Sequence, residues 1–292
     1  MDLKQLRLST GTIRYRDEGP ADGPVLVFVH GFLVDGTLWR KVTPLLTPWA
    51  RCITPDWPMG SHVLPMDPGA DLSPHGVAGL IAEFLEALDL DEVTIVGNDS
   101  GGALSQVLVT EHPKRVGRLV LTPCDAFENF PPKLFRPMVK AARGPKSVLT
   151  LLAGMKAPAM RRAPFAFGWL SKHGIPDEVT EAWVTPALQD AAIRRDVAKV
   201  LQGLDPAVTL AAADKLGGFD KPALLVWAAE DKFFPLEHAE RLAALLPDAR
   251  VEIVEDSWSF VSEDQPQRLA DLLYGFAGAQ PAGKVPAGTS PA

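Results

Sequence analysis

The chain of 292 residues has little of what marks several protein classes. Its two cysteines, Cys52 and Cys124, match no metal or redox motif, so we expect small buried residues in a reducing compartment. No stretch approaches the ~20 uninterrupted apolar residues of a membrane span. The first ten residues lack the apolar segment of a secretory signal. These absences favour a cytoplasmic protein with no membrane partner.

A surplus of positive charge is also missing. The 29 Lys and Arg residues face 36 Asp and Glu residues, which gives a formal charge of −7. Nucleic-acid binding requires clustered basic residues, so we expect a small-molecule substrate and no nucleic-acid partner. The length accommodates one large core, or a core with an inserted subdomain. Nothing in the sequence predicts the oligomeric state.

Short apolar runs alternate with helical patterns in the first part of the chain. Residues 25–29 form a continuous apolar run that suits a strand buried on both faces. Residues 93–96 and 118–122 predict further strands, and residues 73–88 have the apolar spacing of a helix. This alternation predicts an α/β protein with a mainly parallel sheet covered by helices.

The alternation stops in the middle of the chain and then resumes. Residues 127–218 contain many prolines, several Arg and Lys residues and amphipathic stretches, but no convincing strand. We therefore predict a helical cap at 127–218, inserted in a core formed by 1–126 and 219–279. The small, polar and proline-rich residues 280–292 predict a disordered tail.

The segment 93–102 has the pattern of a strand, a tight turn and the start of a helix. Gly97 and Gly101 flank Asp99 at two residues on either side, and small residues there let a strand and a helix approach closely. If Ser100 were the apex, the residue two positions before it would be Asn98, which is bulkier than glycine. An aspartate at a helix start is often only an N-cap, but the flanking glycines favour a chemical role.

These motifs, in this order, resemble the α/β-hydrolase superfamily over nearly the whole chain. The resemblance implies that fold, with a mostly parallel eight-stranded sheet flanked by helices and an inserted helical cap. His30-Gly31-Phe32 is similar to the family's oxyanion loop, which implies backbone N–H donors from Phe32 and Ser100. There the His30 side chain orders the loop.

An aspartate at the apex resembles the haloalkane dehalogenase and epoxide hydrolase branch. In that branch the carboxylate, here Asp99, attacks carbon to form an ester, and an activated water then cleaves the ester. The resemblance implies no metal and no cofactor. It therefore predicts a cofactor-free hydrolase that acts on a small apolar or aromatic molecule.

The sequence has a candidate for the acid that assists this reaction, but it has no histidine at the position of the base. By resemblance Asp231 takes the position of the relay acid, and Asp125 is an alternative acid. The base position falls on Ser259, and no histidine follows His238. Because activation of water by a general base contributes ~10²–10⁴-fold, an ester at the elbow is predicted to hydrolyse slowly.

Other features of the branch are missing too. Ser100 and Phe32 stand where dehalogenases hold the halide with Trp and Asn. Epoxide hydrolases use two cap tyrosines, whereas the only tyrosines here, Tyr15 and Tyr274, lie outside the cap.

These departures leave several functions open. Asp99 is predicted to serve as a nucleophile, as a base that positions water, or as the acid/base of a non-hydrolytic lyase, cyclase or isomerase. A catalytically silent ligand-binding homologue is a further alternative. In the cap, Phe165, Phe167, Trp169 and Trp183 are predicted either to line an apolar pocket or to pack the cap on the core. Of these, Trp169 and Trp183 are the candidates for binding substrate.

Overall fold

One eight-stranded sheet forms the centre of the protein, which is described by a computed structural model over residues 3–278. The predicted tail at 280–292 lies outside the described residues. The strands are β1 (Lys4–Leu8), β2 (Gly11–Glu18), β3 (Val25–Val29), β4 (Arg51–Pro55), β5 (Val93–Asp99), β6 (Val116–Cys124), β7 (Ala223–Ala228) and β8 (Ala249–Val254).

The sheet has the order β1-β2-β4-β3-β5-β6-β7-β8. Strands β1, β2 and β4 pair antiparallel, and every other neighbouring pair is parallel. The central strands are apolar runs such as VLVFV and ALLVWA because helices cover both of their faces. The predicted mostly parallel, eight-stranded sheet is confirmed.

Helices flank this sheet on both sides. They are α1 (Thr43–Leu46), α2 (Pro74–Ala87), α3 (Ser100–Glu111), α4 (Arg136–Ala141), α5 (Pro145–Leu152), α6 (Pro158–Arg161), α7 (Asp177–Gln189), α8 (Ala191–Gly203), α9 (Pro206–Ala213), α10 (Leu236–Leu245), α11 (Val261–Asp264) and α12 (Pro266–Ala277). Short 3₁₀ turns span Gly36–Trp39, Pro113–Arg115, Lys133–Phe135, Ala153–Lys156 and Leu216–Gly218, and a π-turn spans Pro164–Gly168. Over residues 3–278, no helix combines the length and apolarity needed to cross a membrane.

Helices α4 to α9 lie between β6 and β7 and contain no strand among them. The buried Arg161 organises this insertion, because its guanidinium donates to Thr180 Oγ1 at 3.1 Å and to the carbonyl of Met155 at 3.0 Å. Trp183 fastens the insertion to the core, since its indole N–H donates to Thr37 Oγ1 at 2.8 Å. The cap is therefore held by specific polar bonds as well as by apolar packing.

A second anchor joins the cap to the loop after β8. The buried carboxylate of Asp264 accepts hydrogen bonds from Ser171 Oγ at 2.6 Å and Lys172 N at 2.9 Å on the cap side. It also accepts from Trp258 N at 3.0 Å. One carboxylate thus fixes the loop that carries Ser259 relative to the cap.

The glycines of the elbow are required by close packing. A Cβ on Gly101 would lie 2.2 Å from the Val29 carbonyl oxygen and 2.5 Å from that of His30. A Cβ on Gly97 would lie 2.5 Å from Ser105 Oγ. Any larger residue would push α3 away from β3 and would displace the apex of the turn.

We therefore expect Gly101→Ala to destabilise the protein by about 1–3 kcal/mol, the usual cost of overpacking. Gly275→Ala in α12 is the matched control, because Gly275 is exposed and a Cβ there would meet no atom within 4 Å beyond its own helix backbone. The control should gain about 0.5–1 kcal/mol from helix propensity. Urea unfolding of both variants measures the difference, and equal stabilities would contradict this packing account.

Candidate active site

Asp99 lies at the junction of β5 and α3, with φ 55° and ψ −132°. A positive φ is strained for a residue that has a Cβ, and such strain is typical of functional turns. The Asp99 Oδ1 atom accepts the backbone N–H of Ser100 at 2.6 Å and the Ser100 hydroxyl at 3.3 Å. An ordinary N-cap accepts from the second or third N–H of the helix instead. This geometry therefore differs from simple helix capping.

The His30-Gly31-Phe32 segment, predicted to form the oxyanion loop, lies directly against this carboxylate. His30 is buried; it accepts the Trp57 N–H at 2.8 Å, and its other ring nitrogen lies 2.9 Å from the Gly31 carbonyl oxygen. Burial lowers the pKa of His30, so the ring is neutral and orders the loop. A Cβ on Gly31 would lie 2.6 Å from Asp99 Cβ, so glycine is what permits this close approach.

Three carboxyl groups meet in this region. Burial raises the pKa of Asp99 to about 7, and the Asp231 charge adds to the shift. Burial likewise raises the pKa of Asp231 to about 6. For Asp125, burial and then the Asp99 charge raise the pKa well above its usual range.

The described residues contain no metal site. Among them, no three or more His, Cys, Asp or Glu side chains are arranged to hold a metal ion.

Ser259 and Asp231 form a hydrogen-bonded pair. Asp231 Oδ1 accepts the backbone N–H groups of Phe233 and Phe234, both at 2.7 Å, and the Ser259 hydroxyl at 3.1 Å. Asp231 Oδ2 is buried and accepts no hydrogen bond within residues 3–278. The Asn98 amide donates to the Ser259 carbonyl at 2.9 Å and so holds this loop beside the elbow. The predicted acid and the predicted base position therefore adjoin, with a serine in place of an imidazole.

All six histidines belong to the described part of the chain, and none of them lines the cavity above Asp99. His62 lies 3.3 Å from Asp196, and His173 lies 3.0 Å from Asp256. His238 is in α10, as predicted. No histidine of the described residues therefore lies at the cavity beside Asp99.

An apolar cavity of about 130 Å³ opens above Asp99. Its polar lining consists of Asp99, Ser100 and Asp125, and no Lys or Arg among the described residues lines it. The rest is aliphatic or aromatic: Phe32, Leu33, Pro131, Pro132, Phe135, Met138, Val139, Leu151, Leu152, Met155, Phe165, Ala166, Phe167, Leu170, Leu201, Leu204, Phe233 and Phe234. Because a dry apolar cavity of ~150 Å³ admits benzene, a single ring or a short chain is the size of ligand that fits.

The cap contributes different aromatic residues from those expected to bind substrate. Trp183 is fully buried and packs the cap on the core, and Trp169 is exposed; neither lines the cavity. The prediction that Trp169 and Trp183 bind substrate therefore receives no support from this cavity. Phe165 and Phe167 line the cavity instead.

The 3₁₀ turn Lys133–Phe135 and α4 supply a wall that sequence reasoning missed. Phe135, Met138 and Val139 line the cavity, and their i, i+3, i+4 spacing was the available signal. The interrupting prolines concealed the short helix.

Comparisons with known proteins agree with this architecture. The model of the alpha/beta hydrolase family matches residues 26–272. A protein named haloalkane dehalogenase 2 from Mycobacterium tuberculosis is 29% identical, with 91% of each chain covered. A cis-3-alkyl-4-alkyloxetan-2-one decarboxylase from Xanthomonas campestris is 28% identical, over 94% of this chain and 95% of its own. The solved haloalkane dehalogenase DbeA from Bradyrhizobium elkani shares the fold, with a TM-score of 0.78, 20% identity and coverage of 95% and 97%.

The buried carboxylates predict a pH-dependent stability. Because the pKa of Asp99 is about 7 in the folded chain and near 3.8 when exposed, the folded state keeps a proton that the unfolded state releases. Stability should therefore fall as the pH rises from about 4 to about 7. We expect Asp99→Asn to be more stable than wild type at pH 8, by roughly 1–4 kcal/mol, and equal to it at pH 4.

Thermal or urea unfolding at both pH values tests this expectation. Asp220→Asn, at an exposed site, removes the same charge and serves as the control. A wild-type protein that is as stable as Asp99→Asn at pH 8 would contradict the account of a destabilised buried carboxylate.

Proposed function

We propose, from the premise that this chain belongs to the alpha/beta hydrolase family, that it is an enzyme acting through Asp99 on a small, largely apolar molecule. The observation that carries this proposal is a carboxylate at a strained turn, facing an apolar cavity, with one oxygen bonded to the Ser100 N–H. The 29% identity with the protein named haloalkane dehalogenase 2 supports a reaction in which Asp99 attacks a carbon atom of the substrate.

In the proposed first step, an oxygen of the ionised Asp99 attacks a carbon that bears a leaving group. A carbon–oxygen bond forms, the bond to the leaving group breaks, and the group departs with the electron pair. Apolar walls favour this step because they exclude water, which would otherwise solvate the attacking carboxylate. The product is an ester of Asp99.

In the proposed second step, water attacks the carbonyl carbon of that ester and releases an alcohol. The N–H groups of Ser100 and Phe32 are suited to stabilise the negative charge that develops on the ester oxygen. Ser259 cannot accept a proton from water near neutral pH. Hydrolysis is therefore the slow step. It is slower by ~10²–10⁴-fold than the same hydrolysis with a general base.

A second candidate is a non-hydrolytic reaction in which Asp99 transfers a proton. The observation that favours it is the Asp99 pKa of about 7, at which protonated and ionised forms coexist near neutral pH. Such a reaction needs no water-activating histidine. The relative named as an oxetanone decarboxylase supports the view that this family also includes non-hydrolytic chemistry.

Intact-protein mass spectrometry after incubation with 1-bromobutane tests the first candidate. We expect a mass increase of one butyl group in place of one proton, and peptide mapping should locate the ester on Asp99. Asp99→Asn should give no adduct, whereas Asp125→Asn should still react, because Asp125 is not at the apex. Adduct formation should rise with pH through about 7 as Asp99 ionises.

The same experiment separates the two candidates. A broad panel of haloalkanes and epoxides that leaves no adduct, together with an Asp99→Asn variant that keeps full activity, would contradict the proposal. Turnover of a strained lactone that disappears in Asp99→Asn, without any adduct and with activity falling above pH 7, would support proton transfer instead.

A further inference from the structure

Residues 129–172 of the cap have an unusual charge distribution. This stretch contains nine of the chain's 29 Lys and Arg residues and none of its 36 Asp and Glu residues. The basic residues are Lys133, Arg136, Lys140, Arg143, Lys146, Lys156, Arg161, Arg162 and Lys172. This segment of the cap is therefore strongly cationic in a chain whose formal charge is −7.

Five of these side chains are exposed and form no ion pair with any described residue: Lys133, Lys140, Arg143, Lys146 and Lys156. The other four are engaged or buried. Arg136 donates to the Glu128 carbonyl, Arg161 is buried, and Arg162 and Lys172 pair with acidic residues. The five unpaired cations are therefore available to an anionic partner.

Large apolar side chains are exposed on the same stretch. Five of the twelve exposed large hydrophobic residues of the described chain lie here: Leu134, Leu151, Met160, Phe165 and Trp169. Phe165 is 52% exposed and also lines the cavity, as does Leu151. These two residues therefore mark the mouth of the cavity, within the cationic stretch.

We propose that this cap face, formed by the five unpaired cations and the five exposed apolar residues, docks on an anionic lipid surface. The small apolar substrate would then enter the cavity directly from the lipid. The charge complements anionic headgroups, and the apolar side chains gain contacts at the boundary between headgroups and acyl chains. A nucleic acid would satisfy the charges but leave the leucines and Phe165 in water.

Peripheral docking of this kind needs no membrane-spanning helix. It therefore departs from the expectation of no membrane partner, which was based on the absence of a spanning segment. The docking is argued only from the surface of the cap and does not depend on the chemistry of Asp99, whereas entry of the substrate from the lipid rests on the proposed function.

Co-sedimentation of the full chain with vesicles tests the proposal. We expect binding to phosphatidylglycerol–phosphatidylcholine vesicles at low salt, little binding to pure phosphatidylcholine, and weakening as salt rises. The triple variant Lys133→Gln, Lys140→Gln, Arg143→Gln should lower the partition coefficient on the order of 100-fold.

A matched control removes three other exposed cations: Lys114→Gln, Lys221→Gln, Arg250→Gln. These residues lie at the amino ends of β6, β7 and β8, at the sheet edge opposite the cavity, and should not affect binding. Leu134→Ser should weaken vesicle binding several-fold without changing the net charge, since a purely electrostatic contact would not need the leucine.

Tryptophan fluorescence tests the proposal without any substitution of the charged residues. Trp169 is 41% exposed, so its emission should shift to the blue on anionic vesicles, and Trp169→Phe should remove that shift. No sedimentation with anionic vesicles, or an equal loss in the two triple variants, would overturn the proposal. So would binding to a duplex DNA oligonucleotide that persists in Leu134→Ser, combined with no binding to vesicles.

Discussion

The desolvation of three neighbouring carboxyl groups, two of which line one apolar cavity, is the constraint on which the rest of the site depends. Asp99 and Asp125 line the cavity, the Asp231 charge acts on Asp99, and no described cationic side chain lines the cavity to balance them. Burial without a counter-charge favours the neutral form of each acid. These acids therefore hold their protons to a much higher pH than exposed aspartates do, and the close packing of the glycine elbow keeps them enclosed.

The Asp231–Ser259 contact shows which side chain occupies the predicted position of the base. In the branch that the elbow resembles, a histidine at the position of Ser259 is the base that activates the water which cleaves the ester. Here a serine donates one hydrogen bond to Asp231 and supplies no charge. Burial accounts for the raised pKa values of these acids, and the serine at the predicted base position accounts for the slow hydrolysis that we propose.

Sequence reasoning predicted the features that depend on local spacing. The elbow could be located from Gly97 and Gly101, because close packing of a strand and a helix tolerates only small residues there. The cap interior could not be predicted, because it depends on contacts between distant residues. Trp183 is buried because its indole reaches Thr37 in another part of the chain, and nothing near Trp183 in the sequence indicates that partner.

The rate at which the Asp99 ester is hydrolysed in Ser259→His tests the central claim most directly. The butyl ester is formed in wild type and in the variant, free reagent is removed, and loss of the adduct is followed by mass spectrometry. The account predicts that restoring an imidazole beside Asp231 speeds release by ~10²–10⁴-fold. A folded Ser259→His protein that forms the ester and releases it no faster than wild type would contradict the account.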